Sequence, residues 1–220
     1  MKPLPWFEPY RVVIRQAFGV AVIVALATAI ASCAISRPGV TKRMFLLQPD
    51  NPPAASAPKP VAVRVGVINV AAPFRGKHFV YRTGELKYES DFYNEFFVAL
   101  TAVLTDATAK SLAAANVYRR VIEPGAASVD EGDFVLDGFV SEFYGDLRDT
   151  AKPTAVITVT FYLSTANVVV PSVVWSREYR QRVVASDASP DALARAWNGA
   201  LTAIVADLAR DLAAASLPQR

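Results

Sequence analysis

From residue 61 the chain alternates: Val61, Val63, Val65 and Val67 are separated by Ala62, Arg64 and Gly66. Period two with β-branched side chains predicts a strand. The same reading predicts strands over residues 117–122, 134–143, 155–163 and 173–184, and a brief one over 44–47. Within 155–163, Ala155, Ile157, Val159, Phe161 and Leu163 alternate with Val156, Thr158, Thr160 and Tyr162. One face is apolar and the other amphipathic, which suits a sheet covered by helices on at least one side. Two segments switch to three-and-four spacing. Tyr93, Phe96, Phe97, Leu100, Val103, Leu104 and Ala107 form one stripe, with Asn94, Glu95, Thr101, Thr105 and Asp106 on the other side. This predicts a helix from Ser90 or Asp91, in which Asp106 supports Lys110 one turn later. Ser189-Pro190-Asp191 supplies an N-cap, a proline in the first turn and an early acid. The helix after it should bury Leu193, Trp197, Leu201, Ile204, Leu208 and Leu212 and stop before Pro218. The order β-β-α-β-β-β-β-α predicts a single α+β domain: a mixed, largely antiparallel sheet flanked by two main helices.

The start of the chain has a different pattern. Lys2, Arg11 and Arg15 face a single Glu8, and residues 17–31 carry no charge. A cationic start, a short apolar run and small residues make a secretory signal. The alternative is an inner-membrane signal anchor, because the run approaches the length of a spanning helix. The position of the one cysteine favours the first. Cys33 follows Ile30-Ala31-Ser32, and this resembles the bacterial lipobox. That resemblance implies a diacylglyceryl group on the Cys33 thiol, cleavage before Cys33 and acylation of the new amino group. Two or more acyl chains, at about 0.8 kcal/mol per buried methylene, hold a protein on a bilayer. Ala34 stands where an aspartate would imply inner-membrane retention, so the resemblance implies the periplasmic side of the outer membrane. Residues 1–32 are expected to be a lipoprotein signal peptide. Residues 33–60 form a lipid-anchored tether with the short strand and a linker of five prolines, extended and without a packed core of its own. Residues 61–217 form the domain.

Composition removes more chemistry than it suggests. At 220 residues, 53% hydrophobic and 20% charged, the chain can build one packed domain. One cysteine excludes an intrachain disulfide framework and a thiolate zinc cluster. One histidine, His78, excludes schemes that need two. A net charge of +3 falls to +1 when the signal, with three cations and one anion, is removed. That excess is too small and scattered to predict a nucleic-acid partner. No phosphate loop, nucleophile elbow, H-E-x-x-H or EF-hand pattern is present. Asp130, Glu131 and Asp133 lack the ordered oxygen spacing of a cation loop and read as a solvated turn. Asp137, Glu142, Asp146 and Asp149 bracket a strand end; His78, without an evident partner, reads as a surface or interface residue. Trp175 and Trp197 read as core anchors. No catalytic residue, metal or cofactor is expected, and the chain is not read as an enzyme.

Several features line up: the lipobox at Cys33, the short strand before a proline linker, the valine strand, and the closing helix. With them stands Phe74-Arg75-Gly76-Lys77-His78-Phe79-Val80-Tyr81-Arg82, leading into Tyr88-Glu89-Ser90-Asp91-Phe92-Tyr93. Together they resemble the ABC-type transport auxiliary lipoprotein family, relatives of the PqiC-type lipoproteins. Those accompany MCE-protein systems that move lipids between inner and outer membranes. The resemblance spans residues 33–217 and is one of layout; Phe92 and Phe96 stand where members carry a tryptophan. It implies a sheet flanked by helices, no known catalytic residues, and assembly with itself as a homo-oligomer or with an MCE-domain protein or ABC transporter components. The function it implies is that of a lipid-anchored periplasmic accessory subunit of an intermembrane lipid or solvent-exporting system. The alternative is an envelope lipoprotein that scaffolds or activates a cell-wall enzyme.

The docking residues are expected in a hairpin. With Thr83-Gly84 as its loop, Arg82 faces Glu85, Tyr81 faces Leu86, Val80 faces Lys87 and Phe79 faces Tyr88. Phe79, Tyr81, Leu86 and Tyr88 then share one face. Mixed with Arg75, Lys77 and Arg82, they have the composition of an interface. Phe79, Tyr81, Arg82, Leu86 and Tyr88 are the expected partner-binding residues, and Cys33 the lipidation site.

Overall fold

In the computed structural model, which describes residues 41–125, 132–166 and 169–218, eight strands share one mixed sheet. They are β1 (Arg43–Phe45), β2 (Lys59–Val70), β3 (His78–Arg82), β4 (Tyr88–Phe96), β5 (Tyr118–Ile122), β6 (Phe134–Asp146), β7 (Thr154–Thr165) and β8 (Val173–Val184). The helices are α1 (Leu100–Ala114) and α2 (Pro190–Ala214). Cys33, Asp130 and Glu131 lie outside the described residues.

The thirteen-residue β6 is the hub. One edge pairs antiparallel with β7 from Phe134↔Thr165 to Asp146↔Thr154, and β7 pairs antiparallel with β8. The other edge takes β2 in parallel as far as Val140, then β3 in parallel at Gly145 and Asp146. Between those two strands the chain steps out through a 3-10 turn, Ala72–Phe74. β4 and β1 extend the sheet beyond β3, and β5 extends it beyond β2. The sheet is mixed, and its two longest pairings are antiparallel.

Ser141 is an extra residue in β6, opposite the step from Val159 to Thr158. A bulge of this kind shifts which side chains face the core. Leu136 and Val140 before it, and Phe143 after it, are all buried. Both halves of the strand therefore keep an apolar face inward despite opposite parity.

Helix α1 lies on β2 and β5, and α2 lies on β7 and β8. The stripe expected of α2 is buried in full, and Ser189 Oγ accepts the Ala192 amide as its cap. Trp197 is the centre of the core. Its ring stacks on Phe143 at 5.4 Å and meets Phe79 and Phe96 edge-on at 4.8 and 5.8 Å. Its Nε1 donates to the Tyr144 carbonyl at 3.3 Å. Among the described residues no helix is long and apolar enough to cross a membrane.

Three expectations need correction. The first helix begins at Leu100, and residues from Tyr88 to Phe96 are strand. Aromatic side chains at helical spacing mimic a stripe, but Tyr93 and Phe97 are exposed while only Phe96 is buried. Asp91, expected as a helix start, instead accepts the Tyr93 and Asn94 amides inside the strand. The stripe from Leu100 onward, and the Asp106–Lys110 pair at 2.8 Å, are where the spacing put them. Second, Thr105 is buried, not on the polar side: its Oγ1 accepts the amide of Ile68, which follows the irregularity after Val65 in β2. Third, the proline stretch packs against the domain. β1 pairs with β4, Leu47 enters the core, Pro52 is buried, and the Ala55 amide donates to the Ala115 carbonyl.

Phe79 is fully buried among Phe45, Phe96 and Trp197. Emptying such an aromatic site costs about 3 kcal/mol or more. Phe79→Ala should lose that much in urea unfolding; a loss below about 1 kcal/mol would mean the ring is not a core element.

Candidate docking surface

The β3–β4 hairpin pairs Arg82 with Tyr88, Tyr81 with Glu89 and Val80 with Ser90. Its loop is therefore residues 83–87, not Thr83-Gly84 alone. A two-residue primed turn would force Thr83 to positive φ, which a β-branched residue resists. The longer loop avoids this, and the Thr83 and Gly84 amides both donate to the Lys87 carbonyl, at 3.0 and 3.3 Å. Arg82 folds back over the loop, donating Nη2 to the Glu85 carbonyl at 2.7 Å and Nε to the Gly84 carbonyl at 3.3 Å. Thr83 Oγ1 donates to Glu89 at 3.0 Å, and Lys87 pairs with Glu89 at 2.7 Å.

This register separates the five expected residues. Phe79 belongs to the core and is no docking residue. Tyr81 is half-buried and is committed internally: its hydroxyl donates to Asp91 Oδ2 at 2.8 Å. Its ring has room because the facing residue is Gly145, where a Cβ would lie 3.2 Å from both Tyr81 Cδ1 and Leu193 Cδ1. Arg82, Leu86 and Tyr88 do come together at the hairpin end. Leu86 is 93% exposed at the tip. The Arg82 guanidinium sits 5.6 Å above the Tyr88 ring and 6.0 Å above Tyr144. Tyr88 and Tyr144 meet at right angles at 5.6 Å, and Phe74 closes the group at about 6 Å from each. A cation on aromatic faces is a favourable and shape-specific arrangement.

Beside this group, β6, β7 and β8 carry a ladder of ion pairs. Glu142 accepts from Thr158 Oγ1 at 2.6 Å and from Tyr144 at 3.2 Å, and pairs with Arg180 at 3.3 Å. Asp146 takes Arg148 through both oxygens and Arg182 at 3.1 Å. Cross-strand register creates the first set, because Glu142, Thr158 and Arg180 are successive partners. The Arg148 guanidinium holds the Asp146 carboxyl well below the usual carboxylate range, against burial, and Arg182 adds to it. Of the four acids at this strand end, Glu142 and Asp146 are thus taken up by arginines, while Asp149 accepts the Ala151 amide at 3.0 Å. Asp133, expected in a solvated turn, latches β2 instead: its Oδ2 accepts the Ala62 amide at 2.8 Å. His78 does have a neighbour, with Nδ1 3.6 Å from Glu95. Trp175 is half-buried against the core.

A second feature was missed from the sequence. Between the His78↔Glu95 and Val80↔Ser90 pairs, β4 bulges outward. Asp91 builds the bulge: Oδ1 accepts the Tyr93 and Asn94 amides, and Oδ2 accepts Tyr81 OH and Asn94 Nδ2. Burial opposes its ionisation, but these donors together hold the carboxyl below its ordinary range. The bulge thrusts out Phe92 and Tyr93, whose rings meet at 5.3 Å. The signal for it was an aspartate three residues before an asparagine, interrupting the alternation.

The chain matches no protein-family model and no curated protein. Among solved structures it is similar to a Xanthomonas campestris protein of family DUF330, at 17% identity, covering 76% of this chain and 92% of that one, with a TM-score of 0.64. The fold is shared. An uncharacterized protein is similar at 18% identity, covering 78% of this chain and 99% of that one, with a TM-score of 0.59. The subunit of the PelC dodecamer from Paraburkholderia phytofirmans, at 18% identity over 74% of this chain and 93% of that one, scores 0.39.

The arginine clamp makes a pH prediction. The folded pKa of Asp146 lies below its unfolded value of about 3.9, so its contribution is complete above that pH and is lost as acid approaches the folded value. Asp146→Asn should be less stable than wild type by about 2 kcal/mol at neutral pH, given two charge-assisted partners. In urea titrations the gap should narrow progressively as the pH falls below about 4; a gap that does not vary with pH would refute the clamp.

Proposed function

We propose that this chain is a lipid-anchored, periplasm-facing accessory subunit of an ABC/MCE-type intermembrane lipid or solvent-exporting transport system. It works by docking and assembly, without turnover. The observation that carries the docking role is the hairpin end: an almost fully exposed Leu86 on a loop tied by six hydrogen bonds and ion pairs, beside Arg82 clamped on Tyr88 and Tyr144. Exposed apolar tips on ordered loops lose little entropy on binding, and arginine and tyrosine are the usual anchors of an interface. The signal layout up to Cys33 supports the anchor, and the shared fold is consistent with an envelope domain of the family it resembles.

Two outcomes test the two halves of the proposal. Metabolic labelling with a fatty acid should mark the full chain and not Cys33→Ala; a mature chain that still starts at Met1, without acyl chains, refutes the anchor. For docking, the capture partner is an MCE-domain protein of the proposed transport system. Leu86→Asp and Tyr88→Ala should each weaken its capture by at least about tenfold, equivalent to 1.4 kcal/mol, with an unchanged melting temperature. Undiminished capture by both variants rules the hairpin end out, and loss of self-association alone would make it a homo-oligomer contact.

A further inference from the structure

We propose that the bulge carrying Phe92 and Tyr93 is a membrane seat, which rests the domain on the lipid surface that holds Cys33. It deepens the lipid-anchored reading and depends on it.

Three observations converge here. Phe92 is 66% exposed and Tyr93 nearly half exposed, and Met44 on the adjoining β1 is also exposed. Large apolar side chains in water need a use when they are held there, and these are held. Asp91 spends both oxygens on the bulge itself, and one bond reaches across to Tyr81 on β3. The rings cannot fold back into the core without breaking that set.

The second observation is where the tether arrives. Lys42, one residue before β1, lies with its Nζ 5.0 Å from the Phe92 ring centre and 3.3 Å from Glu95. The lipid attachment line therefore ends on the aromatic pair. The third is length. Cys33 lies nine residues before Lys42, so a lipidated Cys33 keeps the Lys42 backbone within about 30 Å of the bilayer even at full extension, and Phe92 within about 40 Å. A patch so tethered meets lipid far more often than any soluble protein does. Phenylalanine and tyrosine on one protrusion suit that surface: the first enters the acyl boundary and the second remains at headgroup level.

The test uses the full lipidated chain. Acylation occupies the single native thiol, so an introduced cysteine takes an environment-sensitive fluorophore alone. Phe92→Cys is compared with Ser176→Cys, an exposed position on β8, in vesicles of phosphatidylethanolamine and phosphatidylglycerol containing nitroxide lipids. The label at position 92 should shift to the blue and be quenched, and the label at 176 should do neither. Adding Asp91→Ala should reduce quenching at 92 while the chain stays on the vesicles. If the chain floats with vesicles but position 92 is unquenched, or both positions are quenched alike, the seat is wrong and the anchor stands. A shift at 92 that appears only with the MCE-domain protein would assign the bulge to a protein partner and overturn the proposal. A chain that carries no lipid and does not float removes the anchor, and the seat with it.

Discussion

The constraint on which this domain depends is that β6 must satisfy two edges and two faces at once. Its Phe143 lies under Trp197, and the next residue, Tyr144, lines the opposite face against Phe74 and Tyr88. Alternation alone produces that split. The Ser141 bulge sets the phase, because without it Phe143 would turn outward and the Trp197 site would lose its floor. The indole N–H then bonds the Tyr144 carbonyl, so the core tryptophan fixes the backbone that carries Tyr144, whose buried ring lies beneath Tyr88 and Arg82. Core and hairpin end are joined through one dipeptide.

Why some of this could be read from the sequence and some could not follows from where each signal sits. Long periodic segments were legible: the span of β8 matches residue for residue, and the buried stripe of α2 is complete. In both, local propensity and tertiary burial agree. The segment after Phe74 was not legible, because Tyr93, Phe96 and Phe97 satisfy helical spacing by coincidence. Nothing local says that Phe96 faces Trp197 across the core while Tyr93 rides on a bulge. Register was the other blind spot. Shifting the hairpin loop from two residues to five moved Tyr88 from opposite Phe79 to opposite Arg82, so Arg82, Leu86 and Tyr88 lie at the hairpin end while the ring of Phe79 is buried in the core.

The ion pairs on the sheet's other face deserve a modest energetic reading. Arg180, Arg182 and Arg148 are each close to half exposed, so solvent screens their attraction and a single pair contributes little. Asp146 differs, since its carboxylate is almost buried and both oxygens are bonded. For such a group the cost of leaving it unpaired exceeds the gain of pairing it. The ladder thus works mainly as specificity: it holds the register of β6 against β7 and β8.

One hairpin carries both proposed surfaces, and that gives the domain an orientation. The docking tip at Leu86 and the bulge at Phe92 are six residues apart along the same ribbon, about 20 Å at strand rise. They are not independent, because Tyr81 on β3 bonds the Asp91 that builds the bulge, while Arg82 beside it clamps the loop. A seat at one end of a stiff strand pair fixes the direction in which the other end points. If the bulge rests on lipid, the tip is held off the bilayer at a set height, where a transporter component would reach it without a search over all orientations. A flexible tether alone confers proximity; a tether that ends on a rigid seat also confers aim.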